Sequence, residues 1–160
     1  MMDNHYYMRG CIIVNDRFFK QTVTIYNQKE DNTYQRTVID KVYIRKSRKT
    51  ILSTNGEQLA GSCTIIIPTG LAEIQGQLAI KSYIDNRSIN KNSSILNFTL
   101  NSKLIDNAWT LRDGDYVVDS ECNLDFDMTQ IRKEHRLFRI ESVSDNRKGG
   151  LQHFKLEVME

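Results

Sequence analysis

Residues 138–158, FRIESVSDNRKGGLQHFKLEV, decide the fold class. Phe138 and Ile140 alternate with Arg139 and Glu141, and later Phe154, Leu156 and Val158 alternate with Lys155 and Glu157. Period-two alternation sends successive side chains to opposite faces, so each run predicts a strand with one face in a core and the other in water. Between them, DNRKGG supplies turn formers, Asp145 and Asn146 followed by Gly149 and Gly150. The stretch predicts a terminal β-hairpin.

The same signal recurs upstream. In TVTIYN (22–27), Val23 and Ile25 alternate with threonines, a β-branched pattern. NQKEDNT then reads as a turn before a long β-rich run, YQRTVIDKVYIRK. Asn55-Gly56 is a strong short-range turn signal. SCTIIIPT is apolar on both faces at Ile65, Ile66 and Ile67, as a central strand is, and stops at Pro68, the single proline of the chain. WTLRDGDYVV (109–118) leads through an Asp-Gly turn into a strand at Tyr116, Val117 and Val118. In DMTQIRKEH, Asp127 and Gln130 predict a capping box opening a helix of one or two turns.

Two regions are less regular. Leu71, Ile74 and Leu78 in LAEIQGQL are spaced like one helix face, SINKNSS reads as a loop and ILNFTL as a short strand. Residues 71–108 thus read as an insertion between core strands. Residues 1–20 have no clear period; CIIV and RFF suit short paired strands or an arm. Together these readings predict one β-rich domain over 1–160. Its fold class is mainly β: a small antiparallel β-barrel or sandwich with one short helix and a loop-rich insertion.

Composition narrows the chemistry. The chain has 160 residues, 39% hydrophobic and 26% charged, with a net charge of +2, which selects neither nucleic acid nor membrane by itself. No apolar run reaches the length of a signal-peptide core or a membrane span. Cys11, Cys63 and Cys122 are far apart and odd in number, which fits buried thiols in a reducing compartment, and Cys63 and Cys122 sit within apparent strands. His5, His135 and His153 have no ligand spacing among them. The acidic run DSECNLDFD (119–127) lacks the glycine and final glutamate of a calcium loop and reads as a solvated loop plus a helix cap. Phosphate-loop and nucleophile-elbow motifs are absent from the sequence. The expectation is a non-enzymatic protein with no catalytic residue, cofactor or metal.

One charge feature stands out. DKVYIRKSRK gathers Lys41, Arg45, Lys46, Arg48 and Lys49 around Tyr43, and basic residues interleaved with aromatics grip single-stranded nucleic acid. Solubilising charge at a hairpin end, which discourages edge-to-edge pairing, is the plainer reading.

The order of TVTIYN, RTVIDKVYI, a glycine-bearing loop, CTIIIP, WTLRDGDYVV and FRIESVSDNRKGGLQHFKLEV resembles small neck proteins of tailed phages and prophages of Firmicutes. It is similar to their head-closure (stopper) and head-tail joining proteins over roughly 21–70 and 109–158. The resemblance implies a structural virion protein, assembled in the bacterial cytoplasm into a homo-oligomeric ring, commonly twelve-fold. Portal and adaptor proteins would lie above it and a tail-side ring below. It makes residues 47–62 the counterpart of a long hairpin loop that reaches toward the ring channel, with Arg45, Lys46, Arg48, Lys49, Asn55 and Gly56 as channel-facing or near packaged DNA. Tyr6, Tyr7, Phe18 and Phe19, in the aromatic-rich N-terminal segment, suit an inter-subunit arm. The alternatives are a tail-completion or tail-terminator ring subunit and, from another class, an OB-like nucleic-acid-binding module.

Overall fold

Thr22, Val23, Thr24 and Ile25 open the first strand, β1 (Gln21–Gln28), and five successive residues from Val23 to Asn27 are buried. Burial on both faces means this strand has a core on each side of it. The structure is a computed structural model and describes residues 16–29, 32–53, 56–74, 109–148 and 150–160. Tyr6, Tyr7, Asn55, Cys11, His5, CIIV, SINKNSS and ILNFTL lie outside the described residues.

A tight turn, with the Lys29 N–H donating to the Thr33 carbonyl at 2.8 Å, leads into β2 (Tyr34–Ser53). Then come β3 (Gly56–Pro68), β4 (Glu73–Ile74), β5 (Tyr116–Val118), α1 (Met128–Glu134), β6 (Leu137–Asp145) and β7 (His153–Met159). The strands pair antiparallel in the order β1-β5-β6-β7-β3-β2, and the β1–β2 ladder closes the circuit. Of the two architectures the sequence allowed, the structure is the closed barrel.

The rungs show how steeply the strands tilt. Arg36, Tyr26, Tyr116, Arg139, Met159, Ser62 and Ser47 pair in succession round the wall. The circuit regains β2 at Ser47, 11 residues past Arg36 (47 − 36), and such stagger requires strong tilt. β2 therefore changes partner along its length, from β1 over Tyr34–Val42 to β3 over Tyr43–Ser53. Lys41 takes a positive φ of 59° at this junction, and the β1–β2 register shifts between Gln21 and Val23. A left-handed residue in a shifted ladder is a bulge, which bends the strand from one partner to the next.

Two apolar clusters follow from the closure. The barrel interior holds Val23, Ile25, Ile65, Ile67, Phe138 and Phe154 among others, with the Trp109 ring edge-on to Phe154 at 6.0 Å. A second cluster lies on the outside of the wall, where Tyr26, Val118 and Leu137 pack against Cys122 and Ile131. The 119–127 segment and α1 cover this patch, which is why both faces of β1 are buried. Asp127 Oδ1 accepts from the backbone N–H groups of Thr129 (2.9 Å) and Gln130 (3.1 Å), so the Asp127 side of the predicted cap forms.

Four expectations are corrected. LAEI is not helical: Leu71 and Ala72 turn back on the Pro68 carbonyl, and Glu73 and Ile74 pair with Asp40 and Ile39 on the edge of β2. RFF is not a strand, because Asp16–Phe18 forms a single 3-10 turn. Cys122 lies in the loop after β5 rather than in a strand, though it is buried as predicted. The acidic run is not wholly solvated: Asp119 is ion-paired at the barrel rim and Phe126 stacks on Tyr34 at 3.7 Å.

Candidate functional site: a ribbon and its basic collar

Beyond the Ser62↔Met159 rung, β7 has run out, and beyond Val42↔Gln21 so has β1. From Arg48↔Gly61 to Ser53↔Gly56, β2 and β3 pair with each other and with no other described strand. At about 3.3 Å per residue, this two-stranded ribbon carries the chain about 20 Å past the wall. The resemblance implied a long hairpin loop over 47–62; among the described residues of that stretch the structure has a continuous β2–β3 ladder. Thr50 and Ile51 are β-branched and continue the strand propensity that precedes them.

The root of the ribbon is built from several elements. Ser47 and Ser62 hydroxyls meet at 2.8 Å across the ladder. Lys46 shares its cross-strand row with Cys63, Val158 and Ile140, all buried, so it starts on the inward side. Its ammonium lies 2.5 Å from the Asp119 carboxylate, whose side chain is 8% exposed. On the same face, Arg136 pairs with Glu160 at 2.6 Å, across the backbone of Gly61. The hydrogen bond from Arg136 holds the Glu160 carboxyl below the usual carboxylate range and pushes the guanidinium up in turn. Burial pushes the Cys63 thiol up, keeping it protonated and inert.

The predicted residues divide accordingly. Arg45 is exposed and makes no ion pair among the described residues. Lys46 is committed to Asp119. Arg48 and Lys49 are rungs of the ribbon, paired in backbone register with Gly61 and Ala60, and Gly56 pairs with Ser53. Phe18 is 67% exposed, while Phe19 packs edge-on against Tyr43 at 6.5 Å. Tyr43 is therefore a wall residue and not a free stacking platform. Sequence reading missed Arg132 and Arg136, which the end of α1 and the start of β6 bring to the same rim; Arg132 acts electrostatically on Glu160. A cluster of three basic residues around a helix end, RKEHR, was the available signal. The site is a basic collar around a projecting ribbon, suited to contacting a polyanion or a neighbouring protein surface.

The far end of the barrel is closed differently. Asp115, 4% exposed, accepts from Asn27 Nδ2 (2.7 Å), Gln28 N–H (3.1 Å) and Arg112 Nε (3.0 Å). Arg112 also donates to the Gln28 carbonyl. Gly114, at φ +91°, lets the turn double back so that its N–H reaches the Ile140 carbonyl at 2.7 Å. The DGD segment is thus a structural plug, with its carboxylate saturated.

Residues 18–158 match DUF6751, described as a family of unknown function. The chain belongs to that family. The match takes in the barrel, the ribbon and the collar together, from Phe18 to the last interior residue of β7. No curated protein and no solved structure matches the chain.

Proposed function

We propose that this protein is a structural subunit of a homo-oligomeric ring in the neck of a tailed phage, a head-closure (stopper) component. It would help retain packaged DNA and dock the tail. The observation that supports this reading most is the ribbon projecting from the barrel with cations gathered at its root. A small closed barrel offers a rigid body for head-to-tail contacts, and such contacts close into rings when the rotation permits. A ribbon longer than the wall requires is available to reach an axial channel, and the exposed Phe18 offers an apolar contact at the flank. In this reading the protein is no enzyme; it binds portal or adaptor proteins on one side and a tail-side ring on the other.

The nucleic-acid module reading draws on the collar as well. Against it stand the engagement of Tyr43 with Phe19 and of Lys46 with Asp119, which leave the basic stretch little stacking surface.

Electron microscopy of virions carrying a C-terminal label on this chain tests the proposal. Label in a ring between portal and tail is the expected result, with twelve-fold symmetry for a stopper and six-fold for a tail-side ring. Particles that lack the label overturn the structural reading.

A further inference from the structure

We propose that the ribbon is a hinged arm: it swings about the Ser47–Ser62 row, and the Arg136–Glu160 ion pair lying across Gly61 is the strap that holds it in place. The inference concerns the single chain and does not depend on the ring reading.

Three observations meet at Gly61. It sits one position beyond the last β3–β7 rung, where the Glu160 N–H donates to its carbonyl at 3.0 Å. A Cβ at this position would collide with both the Arg136 guanidinium and the Glu160 carboxylate, so the ion pair occupies the space that a side chain would take. From there to the tip, the described ladder joins β3 to β2 alone. A two-stranded ribbon with no third strand gains little rigidity from its surroundings, so its direction is set where it leaves the wall.

The two ion pairs at the root differ in kind. Asp119 is almost wholly buried while the Lys46 side chain is 53% exposed, so one end of this contact is anchored in the barrel and it serves as the firmer point, the pivot. The side chains of Arg136 and Glu160 are 45% and 42% exposed, which makes their pair weak and sensitive to salt. Arg132 and Asp119 are the other charges that act on the strap. A weak contact across a glycine, beside a firm one, suits a part that must be held and released.

Spin labels at Ser53 and Ser144, in a Cys11→Ser background with Cys63 and Cys122 buried, measure the arm's position against the wall. Wild type at low ionic strength should give one dominant distance. Glu160→Gln, which keeps the shape and removes the charge, should raise the displaced population roughly two- to fivefold. Gly61→Ala should do the same by pushing the pair apart. High salt should reproduce the effect in wild type and add nothing in Glu160→Gln, a measurement that needs no variant. Trp109 fluorescence checks that the barrel stays folded. A Glu160→Gln distribution identical to wild type, or a wild-type distribution indifferent to salt, overturns the proposal.

Discussion

The two ends of the barrel are secured by opposite means. At the lower end Asp115 is buried and bonded to Asn27, Gln28 and Arg112 at once, and the turn behind it is stitched to β6. At the upper end the ribbon is tied down by one exposed ion pair and one half-buried one. A buried carboxylate with several donors cannot lose one partner cheaply, because the remaining charges and dipoles stay desolvated. An exposed pair can break and be replaced by water. The difference marks where this chain is fixed and where it is adjustable, and low-stability elements are the ones that move in function.

Substitutions can break this comparison, beginning with the largest expected effect. Asp115→Ala strands the Arg112 charge and the Asn27 amide and should cost about 3–5 kcal/mol in denaturant-induced unfolding. A loss no greater than that of Glu160→Gln would erase the contrast between the ends. Lys46→Met leaves the Asp119 carboxylate at the rim without its cation and should cost about 1–3 kcal/mol. Lys41→Gly should stabilise the fold by about 1 kcal/mol, since it removes the steric penalty of a left-handed side chain at the β2 bulge. A destabilised Lys41→Gly would show that the Lys41 side chain matters more than its backbone.

The smallest effect is a titration. Arg136 depresses the folded-state pKa of Glu160, so the strap's contribution is present above the ordinary glutamate value, about 4.3. It is lost as pH falls through the lowered folded value. Amide protection factors in the ribbon, corrected for the intrinsic pH dependence of exchange, should therefore fall in that acidic window while the far end of the wall keeps its protection, and Glu160→Gln should remove the fall.

Much of the fold was legible because its signals are local. Phe138, Ile140, Phe154, Leu156 and Val158 alternate over consecutive residues, and each is buried where the period puts it. The Asp127 cap and the Arg112–Asp115 contact of the DGD turn each act within three residues. Barrel closure was not legible, since it rests on Tyr26 meeting both Arg36 and Tyr116, pairs that no spacing rule links. Asp119 read as solvated because its partner is Lys46, 73 residues away (119 − 46). The collar was half visible for the same reason: Arg45 and Lys46 are adjacent in sequence, whereas Arg136 arrives only through the β6–β7–β3 ladder. LAEI misled because its apolar spacing suits a helix, while the open edge of β2 at Ile39 and Asp40 offered it a strand partner.

β2 is both a stave of the barrel and one leg of the ribbon, running as one strand from the first role into the second. A pull on Ser53 along the strand sets the whole β1–β2 ladder in shear, so its bonds share the load. A sideways pull opens the same ladder from Val42↔Gln21 one rung at a time. Single-molecule pulling between Ser53 and Gln28 should need a higher rupture force than pulling between Ser53 and Gln21. The molecule is then a lever that is stiff under thrust along its length and compliant across it.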